Sequence, residues 1–306
     1  MSAYAVLLTA RMDSSRLPGK SLCNYGAGPN LAQIIRRWRS SERQPTIVVT
    51  TTNTPADDPI GNLCKSLGVP CHRGHPTNVI VQMHAALMTY AGSAQYVARA
   101  LGDNPLVDVE LADWRLDVLE ESGADGLWYG GAHDRITYAG TTDVWSRSAW
   151  ERIIVESSGS QLAHPGVQYW DSIGSYHAAH LPLPRCEYLA PVRTELDTLA
   201  DLEMLRCIWA AWGKPDTILP TRWALSYLAL HPEVAAINAD VQRATQSAPV
   251  FRNHWRPWLC RNCNQRMGSL VSGDLRVFCP GCGEQQTYYA VPPDKHHKSE
   301  RISTDA

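Results

Sequence analysis

The chain has 306 residues, 44% hydrophobic and 19% charged, a globular make-up with room for one large core or one core plus a small module. Its net charge of -2, from 28 Lys or Arg against 30 Asp or Glu, excludes a surface built as a whole to neutralise a phosphate backbone, so any anion site must be local. No run approaches the roughly 18 apolar residues of a membrane span. Met1–Asp13 has no basic segment before its apolar run, so no secretory leader is expected and the cytoplasm is the expected location.

In chain order, YAVLLTA, TIVVTTT, GVPCHRG, QYVARALGD and ADGLWYG read as β-rich runs. Between them, NLAQIIRRWRS places Leu31, Ile34, Ile35 and Trp38 at helical spacing. DDPIGNLCKSLG opens on an acidic cap and a first-turn Pro and closes on Gly, so it reads as a short helix. NVIVQMHAALMTY and VELADWRLDVLEESG supply two more helices. This alternation predicts an α/β protein with a mostly parallel sheet covered by helices, whose ligand sits at the carboxyl ends of the strands. Further on, TTDVWS is expected as a strand, SAWERIIVES as a helix, HPGVQYW as a loop, RTELDTLADLEMLRCIWAAWG as a strong helix and SYLALHPEVAAIN as a closing helix and turn. The expected division is a catalytic domain over 1–240, a linker and small module over 241–292, and a polar, disordered tail over 293–306.

The stretch after the first strand, ARMDSSRLPGK, carries Arg11, Ser14, Ser15, Arg16, Gly19 and Lys20. Arginine offers a bidentate fork, lysine a point charge, and glycine lets backbone approach phosphate, so this loop can wrap a triphosphate. A solvated surface turn on Leu17-Pro18-Gly19 is the plain competitor.

ARMDSSRLPGKSL resembles the ARxxSxRLPGKxL signature of the spore-coat polysaccharide cytidylyltransferase-like family, related to the synthetases of CMP-activated KDO and sialic acid. The resemblance continues in order through TTTNTPADDPIGNLCKSLGVPCHRG, RALGDNPLVDVEL, ESGADGLWY, RTELDTLADLEMLR and HPEVAAIN, over roughly residues 3 to 238. It implies a nucleotide-diphospho-sugar transferase fold, Rossmann-like with a mostly parallel mixed sheet, and CMP transfer from CTP to a sugar, sugar acid or related acceptor with release of pyrophosphate. By position, Arg11, Ser14, Arg16, Gly19, Lys20 and Arg99 are implied to bind nucleotide, with Arg11, Lys20, Asp103 and Asp197 catalytic. Asp103 in LGDNP and Asp197 in ELDT are implied to hold Mg2+; as plain residues they read as a turn residue and a helix cap. Asp143, His164 and Arg193 fall on the substrate side. Asp13 departs from the family, which has a small neutral residue there; a carboxylate in a phosphate loop repels the ligand unless it faces solvent, pairs with an arginine or meets the metal.

Of nine cysteines, Cys23, Cys64, Cys71, Cys186 and Cys207 are scattered, whereas Cys260, Cys263, Cys279 and Cys282 form C-x2-C-x15-C-x2-C, the spacing of a structural Zn2+ ribbon. SLVSGDLRVF between the pairs reads as a hairpin bending at Gly273-Asp274. Residues 251–306 carry eight Lys or Arg against five Asp or Glu, which four thiolates and one zinc reduce to about +1. That is a poor nucleic-acid footprint. The expected partners are therefore CTP and a small acceptor, with the ribbon docking a protein partner or the acceptor, a homodimer as an admissible assembly, and no nucleic acid or membrane. Two rivals remain: a glycosyltransferase, which would show an Asp-x-Asp where LGDNP has one Asp, and a non-catalytic nucleotide-binding adaptor, which would lack the acidic positions.

Overall fold

The structure is a computed structural model. It describes residues 3–128, 142–180 and 192–241, together with the strands 256–259, 266–270, 274–278 and 285–289. The chain divides into two compact units.

The larger unit is built on seven strands: β1 (Tyr4–Thr9), β2 (Thr46–Thr52), β3 (Cys71–Gly74), β4 (Tyr96–Leu101), β5 (Gly126–Trp128), β6 (Asp143–Ser146) and β7 (Ala178–His180), in the order β3-β2-β1-β4-β6-β5-β7. Pairing is parallel except where β6 runs antiparallel to β4 and β5, which makes the sheet mixed. YAVLLT is apolar on both faces because β1 is central, and its first five residues are buried. Helices α1 (Asn30–Trp38), α2 (Asp58–Leu67), α3 (Val79–Tyr90) and α4 (Val109–Ser122) connect the strands, as their apolar spacing predicts. Helix α5 (Arg147–Glu156) starts on Ser146, whose hydroxyl accepts the Ala149 N–H. It joins Ile80, Met83 and Leu87 of α3, Leu7, Val48 and Val97 of the sheet, and Trp145, Trp150 and Tyr169 in one core cluster.

Three stretches depart from the sequence reading. HPGVQYW contains a five-residue helix, α6 (Val167–Asp171): Gly166 takes φ +95°, and Tyr169 is buried and donates to the Leu127 carbonyl. Burial of that one ring, not a periodic pattern, holds the turn. RTELDT is not helical. Helix α7 (Leu199–Trp212) begins only after Thr198, which closes a capping box with Asp201. Helix α8 (Thr221–Leu230) starts behind Pro220, earlier than SYLAL suggests, and Pro232 opens the short α9 (Pro232–Ala235). A second core joins Leu202, Leu205, Ile208 and Trp209 of α7 and Ala224 and Leu228 of α8 to Leu17 and Tyr25 after β1 and Leu106 after β4. The C-terminal helices thereby buttress the loops that leave the two central strands. No helix among the described residues is long and apolar enough to cross a membrane.

The smaller unit has two antiparallel pairs, β8 (Arg256–Leu259) with β9 (Arg266–Leu270), and β10 (Asp274–Phe278) with β11 (Gln285–Tyr289). The hairpin expected across Gly273-Asp274 is therefore corrected, since β9 and β10 pair outward to β8 and β11, not to each other. Pairing partners are long-range facts that a turn-forming dipeptide does not encode.

Candidate active site at the exits of β1 and β4

Register sets the site. Thr9 at the end of β1 is level with Thr50 of β2 and Leu101 of β4, so the loops after β1 and β4 leave the sheet side by side. Gly102 makes this close passage feasible: its N–H donates to the Thr9 carbonyl at 2.8 Å, and a Cβ on it would stand 2.6 Å from that oxygen. Gly102→Ala is expected to cost about 1–3 kcal/mol, the range for overpacking, and to displace Asp103. A lowered urea midpoint with weakened divalent-ion binding would show both effects.

The loop 10–20 is held from behind by contacts that the sequence reading did not foresee. Asp57, the first residue of the acidic start of DDPIGNLCKSLG, makes no capping bond; its carboxylate accepts the Met12 N–H at 2.8 Å and the Thr52 N–H at 3.1 Å, and it also accepts from the Thr52 hydroxyl. The Ser21 hydroxyl donates to the Arg11 carbonyl, and the Gly19 N–H donates to the Met12 carbonyl with Gly19 at φ +76°. Gly19 thus serves the turn, as the left-handed region favours glycine. Ser14 is half-buried in this loop. Asp13 is exposed, its carboxylate 3.8 Å from the Arg11 guanidinium, so the departure from the family pattern faces solvent beside a cation.

Asp103 and Asp197 both lie against Lys20. The Leu196 N–H donates to the Asp103 carbonyl at 2.8 Å, which draws the ELDT segment against the end of β4. Lys20 Nζ lies 2.8 Å from Asp103 Oδ2 and 2.7 Å from Asp197 Oδ1. The other oxygen of Asp197 receives Arg16 Nη2 at 2.8 Å and Arg193 Nη2 at 2.6 Å. Asp103 Oδ1 is buried and has no hydrogen-bond partner among the described residues. Burial alone would lower the Lys20 ammonium, but Asp103 and Asp197 outweigh it and hold the group above its ordinary range. Burial alone would raise the Asp197 carboxyl, and Lys20, Arg193 and Arg16 outweigh it downward. Asp197 is not the helix cap, a role that Thr198 fills.

Arg193 is placed differently from its substrate-side expectation. It is buried, and its guanidinium is committed to Asp201 at 2.9 Å, to Asp197, and to Glu195 at 3.9 Å. Asp201 is fully buried and also accepts from the Asp197 and Thr198 N–H groups and from Asn238 Nδ2 at 2.8 Å. Arg193 and Asp201 therefore fix Asp197 from inside. Asp201 and Asn238 carried no signal beyond an acidic first turn and a helix end.

On the other side of β4, Arg99 Nη1 lies 3.5 Å from Asp143 Oδ2 across the β4–β6 register, and Arg99 Nε is buried without a partner among the described residues. His164 is close enough that partial burial, then the charges of Arg99 and Arg11, push its imidazole below the ordinary range. Arg11, Arg99, Asp143 and His164 thus form a second cluster beside the loop 10–20.

The carboxyls of Asp57 and Asp197 both lie below the ordinary aspartate value, Asp57 because hydrogen bonds from Thr52 and Met12 outweigh the burial that opposes them. Their stabilisation is full above the unfolded value of about 3.9 and is lost as pH falls through the depressed folded values. Asp57→Asn should lower stability at neutral pH and flatten the acid side of the profile. Urea unfolding from pH 6 down to about pH 3 measures it.

Among the described residues no group of three or more His, Cys, Asp or Glu could hold a metal ion. Cys260, Cys263, Cys279 and Cys282 lie outside the described residues, in the connections between β8 and β9 and between β10 and β11.

Residues 5–154, which include the loop 10–20, Arg99, Asp103 and Asp143, match the cytidylyltransferase family model. That stretch is similar to the cytidylyltransferase family. It is 25% identical over 238 residues to the uncharacterized protein MJ1063 of Methanocaldococcus jannaschii, covering 78% of this chain and 95% of that one. It is 25% identical to the spore coat polysaccharide biosynthesis protein SpsF of Bacillus subtilis, over 71% of this chain and 90% of SpsF. A shorter match, 29% identity over 126 residues, reaches the 3-deoxy-manno-octulosonate cytidylyltransferase of Neisseria meningitidis and spans 47% of that protein. The fold is shared with a cytidylyltransferase from Leptospira borgpetersenii, with a TM-score of 0.69 at 22% identity over 80% of this chain and 99% of that one. The expected α/β nucleotide-diphospho-sugar transferase-like fold is thus present as a mixed seven-stranded sheet.

Proposed function

We propose that this protein transfers CMP from CTP to a sugar acid or a related anionic acceptor and releases pyrophosphate. The observation that carries the reading is the convergence of Arg16 and Lys20 on Asp103 and Asp197, where the exits of β1 and β4 meet. An oxygen of the acceptor attacks the α-phosphorus in line, the bond to the bridging oxygen breaks, and pyrophosphate leaves with the negative charge. Such a reaction needs positioning and charge stabilisation more than covalent help from the protein. Arg11, Ser14, Arg16 and Lys20 line the loop that would hold the triphosphate, and Lys20 and Arg16 would stabilise the departing pyrophosphate.

The residues present fit a magnesium ion. Asp103 offers a buried oxygen with no partner among the described residues, and Asp197 a second carboxylate held rigid by Arg193. Hard oxygen donors of this kind, one or two carboxylates beside phosphate oxygens, suit Mg2+. When bound, the ion supplies positive charge to the phosphate oxygens. Arg99, whose buried Nε has no partner among the described residues, and the neighbouring Arg11 and His164 suit an anionic acceptor, which matches the sugar acid named for the Neisseria relative. In the smaller unit, each C-x2-C pair falls in sequence between two paired strands, and four thiolates together would fill a tetrahedral Zn2+ site with no open position, which would give that zinc a structural role. One zinc per chain by metal analysis is the expected result.

The reading is tested by measuring pyrophosphate from each of the four nucleoside triphosphates with Mg2+ and a panel of sugar acids. Pyrophosphate from CTP with one acceptor, and none without acceptor, is expected. Transfer of a sugar from a nucleotide sugar would instead place the chain with the glycosyltransferases.

A further inference from the structure

Lys20 stands between the two carboxylates that a divalent ion would bridge. Its ammonium contacts both carboxylates, using two of its three N–H donors, and the side chain is only 15% exposed, so water does little to screen it. An ammonium and a divalent cation cannot both touch the same two oxygens, because at about 3–4 Å their repulsion in a partly buried site is several times its value in water. The two aspartates are not equally dependent on Lys20. Asp197 keeps Arg16 and Arg193 on its other oxygen, whereas among the described residues Asp103 pairs with no other cation. If the ammonium leaves, Asp103 is left as a carboxylate with no cation, one oxygen buried and unbonded, beside a neighbour whose charge is still balanced. Lysine is suited to such a move, being a point charge on a flexible four-carbon stem. Its destination is near at hand, because Lys20 is the last residue of the loop proposed for the triphosphate.

We propose that Lys20 is a resident counter-cation that keeps the Asp103–Asp197 pair closed to divalent metal until a triphosphate draws its ammonium away, so that metal and nucleotide load together. This rests on the reading of Asp103 and Asp197 as the metal-holding pair. Linkage then requires that nucleotide and metal each tighten the other by the same factor. In the free protein, metal alone binds weakly although the carboxylates are already in place.

The test is Mn2+ binding by electron paramagnetic resonance, using the full chain first without nucleotide and then with a non-hydrolysable CTP analogue. Wild type should bind Mn2+ weakly alone and much more tightly with the analogue. Lys20→Met should bind Mn2+ alone about tenfold tighter or more than wild type, because a neighbouring unit charge shifts ion affinity by one to three powers of ten, as it shifts a pKa. Lys20→Gln, which retains hydrogen bonding, serves as the second variant if Lys20→Met does not fold by circular dichroism. Tight Mn2+ binding to wild type without nucleotide, or no gain in either Lys20 variant while Asp103→Asn still removes Mn2+ bound with the analogue, overturns the proposal and leaves the metal pair standing. Mn2+ binding that Asp103→Asn leaves untouched, in wild type and in the Lys20→Met background, removes the metal pair itself.

Discussion

Asp103→Asn should abolish most of the turnover while leaving the fold intact. The residue is partly exposed, its one ion pair among the described residues is with Lys20, and Lys20 keeps Asp197. Its stability loss should therefore be about 1 kcal/mol or less, as for other incompletely buried pairs. The lost carboxylate would be a metal ligand, so the rate should fall at least about a hundredfold, above the 10–100-fold typical of a residue that only orients a ligand. Magnesium titration of the steady-state rate, set beside a urea melt, separates these quantities. A large stability loss with a normal magnesium dependence would return Asp103 to the plain turn residue of Gly-Asp-Asn-Pro.

Arg193→Met should do the reverse and unfold the site from within. It would leave Asp201, fully buried, without its guanidinium and would strip one of the cations from Asp197. Removing one partner of a buried ion pair costs about 3–5 kcal/mol. The expected loss lies at the lower end, because Asp201 retains Asn238 and two backbone donors. Arg193→Met combined with Asp201→Asn should recover part of it, since the uncompensated charge is gone, and that non-additivity identifies the pair. Full stability in Arg193→Met would contradict the positioning role and reopen a direct role at the ligand.

Much of this site was legible because its charges are local. Arg11, Arg16 and Lys20 stand within one short loop after an apolar strand, and the only physical question there was whether they face a ligand or solvent. The partnership of Asp103 and Asp197 was not legible from spacing, because it depends on a backbone bond from Leu196 to Asp103 between distant segments; only the family resemblance singled out both. The part of Asp57 was not legible because DDP at a helix start has the composition of a cap, while its actual bonds run to Met12 and Thr52. Gly102 gave no signal at all, since its requirement comes from the Thr9 carbonyl on another strand. The same reason explains the smaller unit, where Gly273-Asp274 resembles a bend but the strands around it pair elsewhere.

The central claim is cytidylyl transfer at this site, and the fate of the α-phosphate tests it most directly. CTP labelled at the α-phosphorus should be incubated with the protein, Mg2+ and the acceptor that releases pyrophosphate, alongside Asp103→Asn. Label joined to the acceptor as a CMP conjugate, in equal amount to the pyrophosphate and absent with Asp103→Asn, is the predicted result. Label recovered only as free CMP, or a conjugate formed equally by Asp103→Asn, would contradict it.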